Sequence, residues 1–216
     1  MHGRTFAAVL FDMDGTLVDS TASVVRSWVR LADENGIPVA DLQAAAGHGR
    51  PARDIVADLF DGPARAQALS RITALEIADV DGVVALPGAR TALLACGPAG
   101  AIVTSCAADL AVARQRAAGI PVPAVVVTAD DVHRGKPDPE PFLLAARLLG
   151  VEAGRCLVVE DAPAGLAAGR AAGMTTLAVT TTHTADELDA DHVVADLAAV
   201  GLTRTPAGVH VGVATP

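Results

Sequence analysis

Five short apolar runs constrain the fold of this chain more than any other feature. They cover residues 7–11, 101–104, 124–128, 156–159 and 176–179 and are rich in Val, Leu, Ile or Ala. None shows the alternation of apolar and polar residues that is typical of a strand with one wet face. Such runs suit parallel strands that are covered on both faces, so the sequence predicts a buried parallel sheet.

Helical stretches separate the later runs, over residues 107–118, 140–149 and 164–172. Each is followed by Gly, and Pro139 precedes the second one, which matches the usual preference for Pro near the start of a helix and Gly just past its end. This alternation of strands and helices predicts an α/β fold with a doubly wound, Rossmann-like parallel sheet.

The segment after the first run interrupts this alternation, because its pattern is helical and contains no convincing strand. Ser20 is a candidate N-cap for a helix that runs to residue 34, and further helices are predicted over residues 52–60 and 64–77. We therefore predict a helical insert after the first strand. The predicted domains are a core of residues 1–18 and 87–203, a helical cap of residues 19–86, and a patternless surface tail of residues 204–216.

Composition excludes several classes of partner. The 216 residues carry a formal net charge of -9 with no run of Lys or Arg, so there is no positive face for a nucleic acid. No segment is long and apolar enough to span a bilayer, and the N-terminus does not resemble a secretory signal.

Cys96, Cys106 and Cys156 are widely spaced, as free thiols in a reducing compartment would be. We expect a cytoplasmic protein, monomeric or weakly dimeric, with no membrane or nucleic-acid partner.

Acidic residues follow two of the apolar runs. Asp12 and Asp14 come directly after the first run and are followed by Gly15 and Thr16, and Glu160 and Asp161 follow the fourth run. In an open α/β sheet, ligands bind outside the carboxyl ends of the strands. One carboxylate of the first pair can attack as a nucleophile while the other transfers a proton. Four carboxylates that face each other would repel, and a hard divalent cation such as Mg²⁺ would relieve that repulsion.

Two further strand ends add groups that bind anions. Thr104, Ser105 and Cys106 end the second run just before a helix, where hydroxyl and backbone N–H groups can hold a phosphate. Lys136 lies in the loop Gly135-Lys136-Pro137-Asp138-Pro139, also directly before a helix, and can neutralise phosphate charge. A nucleophile, a proton donor and positive groups are what phosphoryl transfer requires.

Together these motifs resemble the haloacid dehalogenase superfamily, in particular its phosphatases with a helical cap after the first strand. The finer matches, such as Glu160-Asp161-Ala162-Pro163-Ala164-Gly165, are similar to those of sugar- and polyol-phosphate phosphatases. The resemblance implies a phosphatase that acts on a small phosphorylated metabolite. It also implies a cap that closes over the site and selects the substrate.

The resemblance also implies a role for each motif residue. Asp12 would form an aspartyl-phosphate, and Asp14 would protonate the leaving oxygen and then deprotonate water. Ser105 and Lys136 would hold the phosphoryl group, with Thr104 and Cys106 in the same anion site. Mg²⁺ would be bound by Asp12, Asp161, the backbone carbonyl of Asp14, and Glu160 directly or through water. In the cap, the candidates for substrate specificity are His48, Arg50 and Glu76.

A phosphomutase is the main alternative to a phosphatase, and the residues argue against four other functions. A phosphomutase similar to β-phosphoglucomutase shares all four motifs but needs a cap that binds a second phosphate, and Arg50 in the segment Gly47-His48-Gly49-Arg50 leaves this alternative open. Asp14 argues against dehalogenase chemistry, and the absence of Lys between residues 19 and 86 argues against phosphonate hydrolysis. A receiver domain would place its phosphorylated Asp on the third strand, and an inactive binding protein would lack one of the motif residues. One departure from the family is that Ala107 and Ala108 stand where many relatives carry Arg or Lys.

Overall fold

The structure is a computed structural model that describes residues 3–45 and 51–213. Its strands are β1 (Arg4–Phe6), β2 (Ala8–Phe11), β3 (Val18–Asp19), β4 (Val84–Ala85), β5 (Gly100–Val103), β6 (Val125–Val127), β7 (Cys156–Glu160), β8 (Thr175–Val179), β9 (His192–Val194), β10 (Val200–Thr205) and β11 (Gly208–Val213). Its α-helices are α1 (Thr21–Asn35), α2 (Val39–Ala45), α3 (Ala52–Leu59), α4 (Ala64–Ala78), α5 (Ala89–Cys96), α6 (Ala108–Ala118), α7 (Glu140–Leu149) and α8 (Pro163–Ala171).

Six parallel strands form the central sheet in the order β6-β5-β2-β7-β8-β9. Side chains of β2 alternate between two cores, because Val9 and Phe11 join the cluster that contains α5 and α6, whereas Ala8 and Leu10 join the cluster that contains α7 and α8. All four residues are buried, as the lack of polar alternation predicts. The predicted doubly wound α/β fold is confirmed.

The helical insert is also present, since α1 to α4 follow the first strand of the central sheet. Trp28, Leu31 and Ile72 lie in a separate apolar cluster inside these helices, which we call the cap. The expectation that the insert contains no strand is wrong at its base, where Val18 pairs with Ala85 and Asp19 pairs with Val84 in a two-stranded antiparallel ribbon. Pairs this short carry no periodicity and cannot be read from a sequence.

The expectation of a patternless tail is wrong. β10 and β11 pair along their whole length, and β11 also pairs with β1 to complete a three-stranded antiparallel sheet. Val209 and Val211 are fully buried in the main core, while His210 between them faces outward. This alternation is the period-two signal of a strand with one wet face, and the prediction missed it.

Among the described residues, no helix is both long enough and apolar enough to cross a membrane.

Candidate active site

The acidic motif residues meet at the point where the strand order of the central sheet reverses. β2 and β7 are parallel neighbours there, and the backbone N–H of Asp12 donates to the carbonyl of Val159 at 2.9 Å. Helices that leave the sheet on opposite faces open a crevice beside these strand ends, which is where α/β proteins bind ligands. The sheet therefore brings Asp12, Glu160 and Asp161 together although almost 150 residues separate them in sequence.

Lys136 lies at the centre of this group. It is the only lysine in the sequence, and it is 6% exposed. Its Nζ donates to Oδ1 of Asp12 at 2.6 Å, to Oε1 of Glu160 at 2.6 Å and to the carbonyl of Val103 at 2.9 Å. An ammonium group has three N–H donors, so every donor of Lys136 is used and its position is fixed.

Three buried carboxylates surround this single ammonium group. Burial and then the charge of Glu160 raise the pKa of Asp12 to about 7, and burial and then Asp12 raise the pKa of Asp161 to about 7. Burial also raises the pKa of Glu160. Burial alone would lower the pKa of Lys136, but Asp12 and Glu160 outweigh it, so its pKa is raised and it stays charged. The cluster holds more negative than positive charge, which favours a further cation.

The donor set fits Mg²⁺. Asp12, Glu160 and Asp161 each place a carboxylate oxygen within 4.8 Å of the others, and hard oxygen ligands are those that Mg²⁺ prefers. The carboxylate of Asp14 is outside this group. Glu160 already accepts three hydrogen bonds, from Lys136 and from the backbone N–H groups of Asp161 and Ala162.

Two threonines hold the carboxylate of Asp161 from opposite sides. Thr16 donates to Oδ1 at 3.0 Å, and Thr182, in the loop after β8, donates to Oδ2. The family pattern includes Thr16, but nothing in the sequence marked Thr182, because its neighbours Thr181 and His183 do not follow a recognised motif. A carboxylate fixed at both oxygens is pre-oriented for a metal ion.

Gly165 makes room for Glu160 at the start of α8. A Cβ at this position would lie 1.7 Å from Oε1 of Glu160, so any larger residue must displace that carboxylate. At Gly154 a Cβ would find its nearest neighbour at 3.8 Å, an ordinary contact. The glycine of the Glu160–Gly165 motif is therefore explained by steric contact with the glutamate.

We expect Gly165→Ala to reduce turnover by about 10- to 100-fold, the usual effect of disturbing groups that orient a metal site. The measurement is phosphate release together with Mg²⁺ affinity from titration calorimetry. Gly154→Ala is the matched control and should match the wild type in both. A Gly165→Ala enzyme with wild-type Mg²⁺ affinity would show that the position of Glu160 does not matter for the metal.

Asp14 is held by three side chains. Ser20 donates to Oδ1 at 2.6 Å, Cys106 donates its thiol to Oδ2 at 3.0 Å, and Nη1 of Arg114 lies 2.9 Å from Oδ2. Ser20 was predicted as the N-cap of α1, but its side chain makes no capping bond, because it is turned towards Asp14. Arg114 was not predicted as a site residue, since a single Arg inside a helix gives no sequence signal.

The predicted anion site lies at the end of β5. Ser105 is exposed there, whereas Thr104 is buried and its Oγ1 accepts a hydrogen bond from the backbone N–H of Cys106 at 3.1 Å. The thiol of Cys106 faces Asp14 and Arg114. An exposed hydroxyl beside the strand end is available to a ligand, and the anion-binding roles of these residues stay predictions.

The cap contributes one of its three predicted specificity residues to this region. Glu76 is 6% exposed and not a solvated surface residue, and its Oε2 lies 3.5 Å from Nη2 of Arg114. Burial raises the pKa of Glu76, and the nearby Arg114 and Trp28 oppose that rise. His48 and Arg50 lie outside the described residues.

Comparisons with known proteins agree with this geometry. A family model for haloacid dehalogenase-like hydrolases matches residues 6–173. Hexitol phosphatase A of Escherichia coli (strain K12) is 40% identical over 206 residues, covering 92% of this chain and 95% of that protein. Validoxylamine A 7'-phosphate phosphatase of Streptomyces hygroscopicus subsp. limoneus is 36% identical and covers 90% of this chain and 96% of that protein. The crystal structure of a hydrolase from Pseudomonas syringae has a TM-score of 0.79 at 28% identity, covering 90% of this chain and 95% of that one.

Proposed function

The chain belongs to the haloacid dehalogenase-like hydrolases and is a phosphatase, and from this premise we propose that it hydrolyses a sugar or polyol phosphate through an aspartyl-phosphate on Asp12 with bound Mg²⁺. The observation that carries the proposal is the buried cluster of Asp12, Lys136, Glu160 and Asp161 at the reversal of strand order. Asp14, held at the edge of that cluster, supplies the proton chemistry.

In the first half-reaction, a carboxylate oxygen of Asp12 attacks phosphorus in line with the ester oxygen. The bond between phosphorus and the ester oxygen breaks, and Asp14 in its acid form gives its proton to that oxygen, so the alcohol leaves. Lys136 is fixed 2.6 Å from Oδ1 of Asp12, where its charge offsets the negative charge on the phosphoryl oxygens. Ser105 would donate to one of those oxygens.

In the second half-reaction, the Asp14 carboxylate takes a proton from water while the water oxygen attacks phosphorus. The bond between phosphorus and the Asp12 oxygen breaks, its electron pair returns to Asp12 as a carboxylate, and inorganic phosphate leaves. Asp12, Asp161 and Glu160 would hold the Mg²⁺ ion, together with the backbone carbonyl of Asp14. When bound, Mg²⁺ offsets negative charge on the phosphoryl group during transfer.

The aromatic residues favour a sugar or polyol over a nucleotide. The sequence has four Phe, one Trp and no Tyr, and of these five rings Phe60 alone is not buried. A nucleobase would find few rings on which to stack. The relatives' names, a hexitol phosphatase and a validoxylamine phosphate phosphatase, point to the same class of polyhydroxylated phosphate esters.

The proposal predicts Mg²⁺-dependent phosphate release from hexitol, hexose and glycerol phosphates, and much slower release from nucleoside monophosphates. The measurement is a phosphate assay on that panel, with Mg²⁺ and with chelator. In parallel, Mg²⁺ should raise the melting temperature of the wild type, because binding to the native state alone stabilises it. Asp161→Asn should reduce that rise.

Two outcomes would contradict the proposal. Release that is unaffected by chelator would exclude the metal. Absence of release from every member, combined with isomerisation of a hexose 1-phosphate that depends on a bisphosphate activator, would identify a phosphomutase. Exposed Asp33 provides a control for the metal, since Asp33→Asn should leave both readouts unchanged.

A further inference from the structure

A buried chain of polar side chains connects the cap to Asp14. It starts at Trp28 of α1, whose side chain lies beside Glu76 of α4 and opposes the rise in the pKa of that carboxyl. Nη2 of Arg114, on the core helix α6, lies 3.5 Å from Oε2 of Glu76, and Nη1 of Arg114 lies 2.9 Å from Oδ2 of Asp14. All except Asp14 are at most 7% exposed, so this connection runs through the interior where cap and core meet.

Arg114 is expensive to bury, and its surroundings do not fully satisfy it. It is 3% exposed, and among the described residues its Nε and Nη2 have no hydrogen-bond partner. A buried guanidinium group that lacks good partners lowers stability, and an apolar side chain of the same length would usually be better. A role in packing alone therefore does not explain an arginine at this position, whereas a role towards Asp14 does.

The side chain of Arg114 also reaches the predicted phosphate site. Arg114 lies six residues after Ala108, the first residue of α6, and side chains in a helix lean towards its N-terminus. A long side chain at residue 114 can therefore reach back towards the start of α6. Its Nη1 lies 3.0 Å from Sγ of Cys106, next to the predicted phosphate site.

We propose that Arg114 is a positioning residue that fixes the carboxylate of Asp14 and, through Glu76, makes this placement depend on the position of the cap. The proposal rests on the role of Asp14 in the proposed function. When α4 lies against the core, Glu76 and Asp14 hold the guanidinium group from two sides. When the cap moves away, Glu76 leaves and Arg114 loses one of its two carboxylate partners. The proton donor is then in place only when the cap is closed.

The test is a double-mutant cycle of Glu76→Gln and Arg114→Met, both close in size to the native residue. We expect each single variant to lower kcat by about 10- to 100-fold, with a smaller change in KM, because a displacement near 1 Å of a catalytic group has an effect of this order. The double variant should lose no more than Arg114→Met alone, since the two residues act as one unit. Arg114→Lys should recover part of kcat.

The single tryptophan gives a second readout that does not depend on turnover. Trp28 contacts Glu76, so Glu76→Gln should shift Trp28 emission in protein that remains folded by circular dichroism. Arg116→Met is the matched control, because Arg116 is exposed on the same helix and should leave both kcat and emission unchanged. If Arg114→Met does not fold, Arg114→Lys replaces it in the cycle.

Three results would overturn the role of Arg114: wild-type kcat in Arg114→Met, additive effects of the two substitutions, or an effect on KM alone. These results differ from a failure of the proposed function, which would appear as a wild-type enzyme that releases no phosphate from any compound of the panel.

Discussion

Replacing Asp12 by Asn is expected to abolish phosphate release and to leave the fold intact. The amide is nearly the same size as the carboxylate, but its oxygen is a poor nucleophile, so the aspartyl-phosphate cannot form. Removal of an essential nucleophile reduces turnover by on the order of 10⁴-fold or more. The measurement is single-turnover phosphate release by the variant and by the wild type, with Asp33→Asn as a control for the same chemical change on an exposed face of α1.

The same variant is predicted to change how the stability of the metal-free protein depends on pH. Burial, followed by the charge of Glu160, raises the pKa of Asp12 from its ordinary value to about 7, so between about pH 4 and pH 7 the folded state binds more protons at this residue than the unfolded state. That contribution to the free energy of unfolding therefore falls as pH rises through this window. An amide at position 12 cannot ionise, so the variant should not show this decrease in the free energy of unfolding.

Melting curves in chelator at several pH values test this prediction. As the pH increases from 4 to 8, the melting temperature of the wild type should fall relative to that of Asp12→Asn. A constant difference across this range would mean that Asp12 titrates at its ordinary pKa.

Residual turnover within tenfold of the wild type would show that another group attacks phosphorus and would remove Asp12 from the mechanism.

The acidic residues of the site could be predicted from the sequence because they directly follow apolar runs, and Lys136 could be predicted because its loop, bounded by Gly135 and Pro137, directly precedes a helix. Asp12, Lys136, Glu160 and Asp161 were all named in this way, and the structure brings their side chains together. Their catalytic roles stay predictions. The signal is local in each case, since a buried parallel strand directs whatever follows it to the same edge of the sheet.

Arg114 and Thr182 could not be predicted because their contacts depend on tertiary packing. Arg114 is 100 residues away from Asp14 in sequence and lies within α6, where a lone arginine suggests a solvated face. Thr182 contacts Asp161 only because β8 follows β7 in the sheet and ends at the same edge. The prediction of the tail failed for another reason, since the alternation of Val209, His210 and Val211 was present in the sequence.

Removing Lys136 is the second change with a large expected effect, because it alters both catalysis and stability. Lys136→Met keeps the length of the side chain and deletes the positive charge among Asp12, Glu160 and Asp161. Turnover should fall by about 10²- to 10³-fold, the usual effect of losing a group that stabilises transition-state charge. Breaking a buried ion pair from one side also lowers the free energy of unfolding by about 3–5 kcal/mol.

The stability effect of Lys136→Met should depend on pH and on Mg²⁺ in a way that a packing defect would not. Without Lys136 the carboxylates of Asp12, Glu160 and Asp161 hold their protons to higher pH, so the variant should lose less stability at pH 5, where more of these groups are neutral, than at pH 8. At pH 8 the buried carboxylates must either ionise without a positive partner or stay protonated at a pH where free carboxylates are ionised. Both cost free energy, so the decrease in the free energy of unfolding should reach its full size. Mg²⁺ supplies positive charge and should stabilise the variant more than the wild type.

Denaturant unfolding at pH 5 and pH 8, with Mg²⁺ and with chelator, separates these causes. Because Lys136 is the only lysine, protein labelled with ¹³C-lysine gives one side-chain signal, and its loss in the variant confirms the assignment. The wild-type signal should not titrate below pH 10, since Asp12 and Glu160 raise the pKa of Lys136 despite its burial. Equal destabilisation at pH 5 and pH 8 would mean that Lys136 stabilises the fold through its methylene groups, and the charge cluster would then not explain the site.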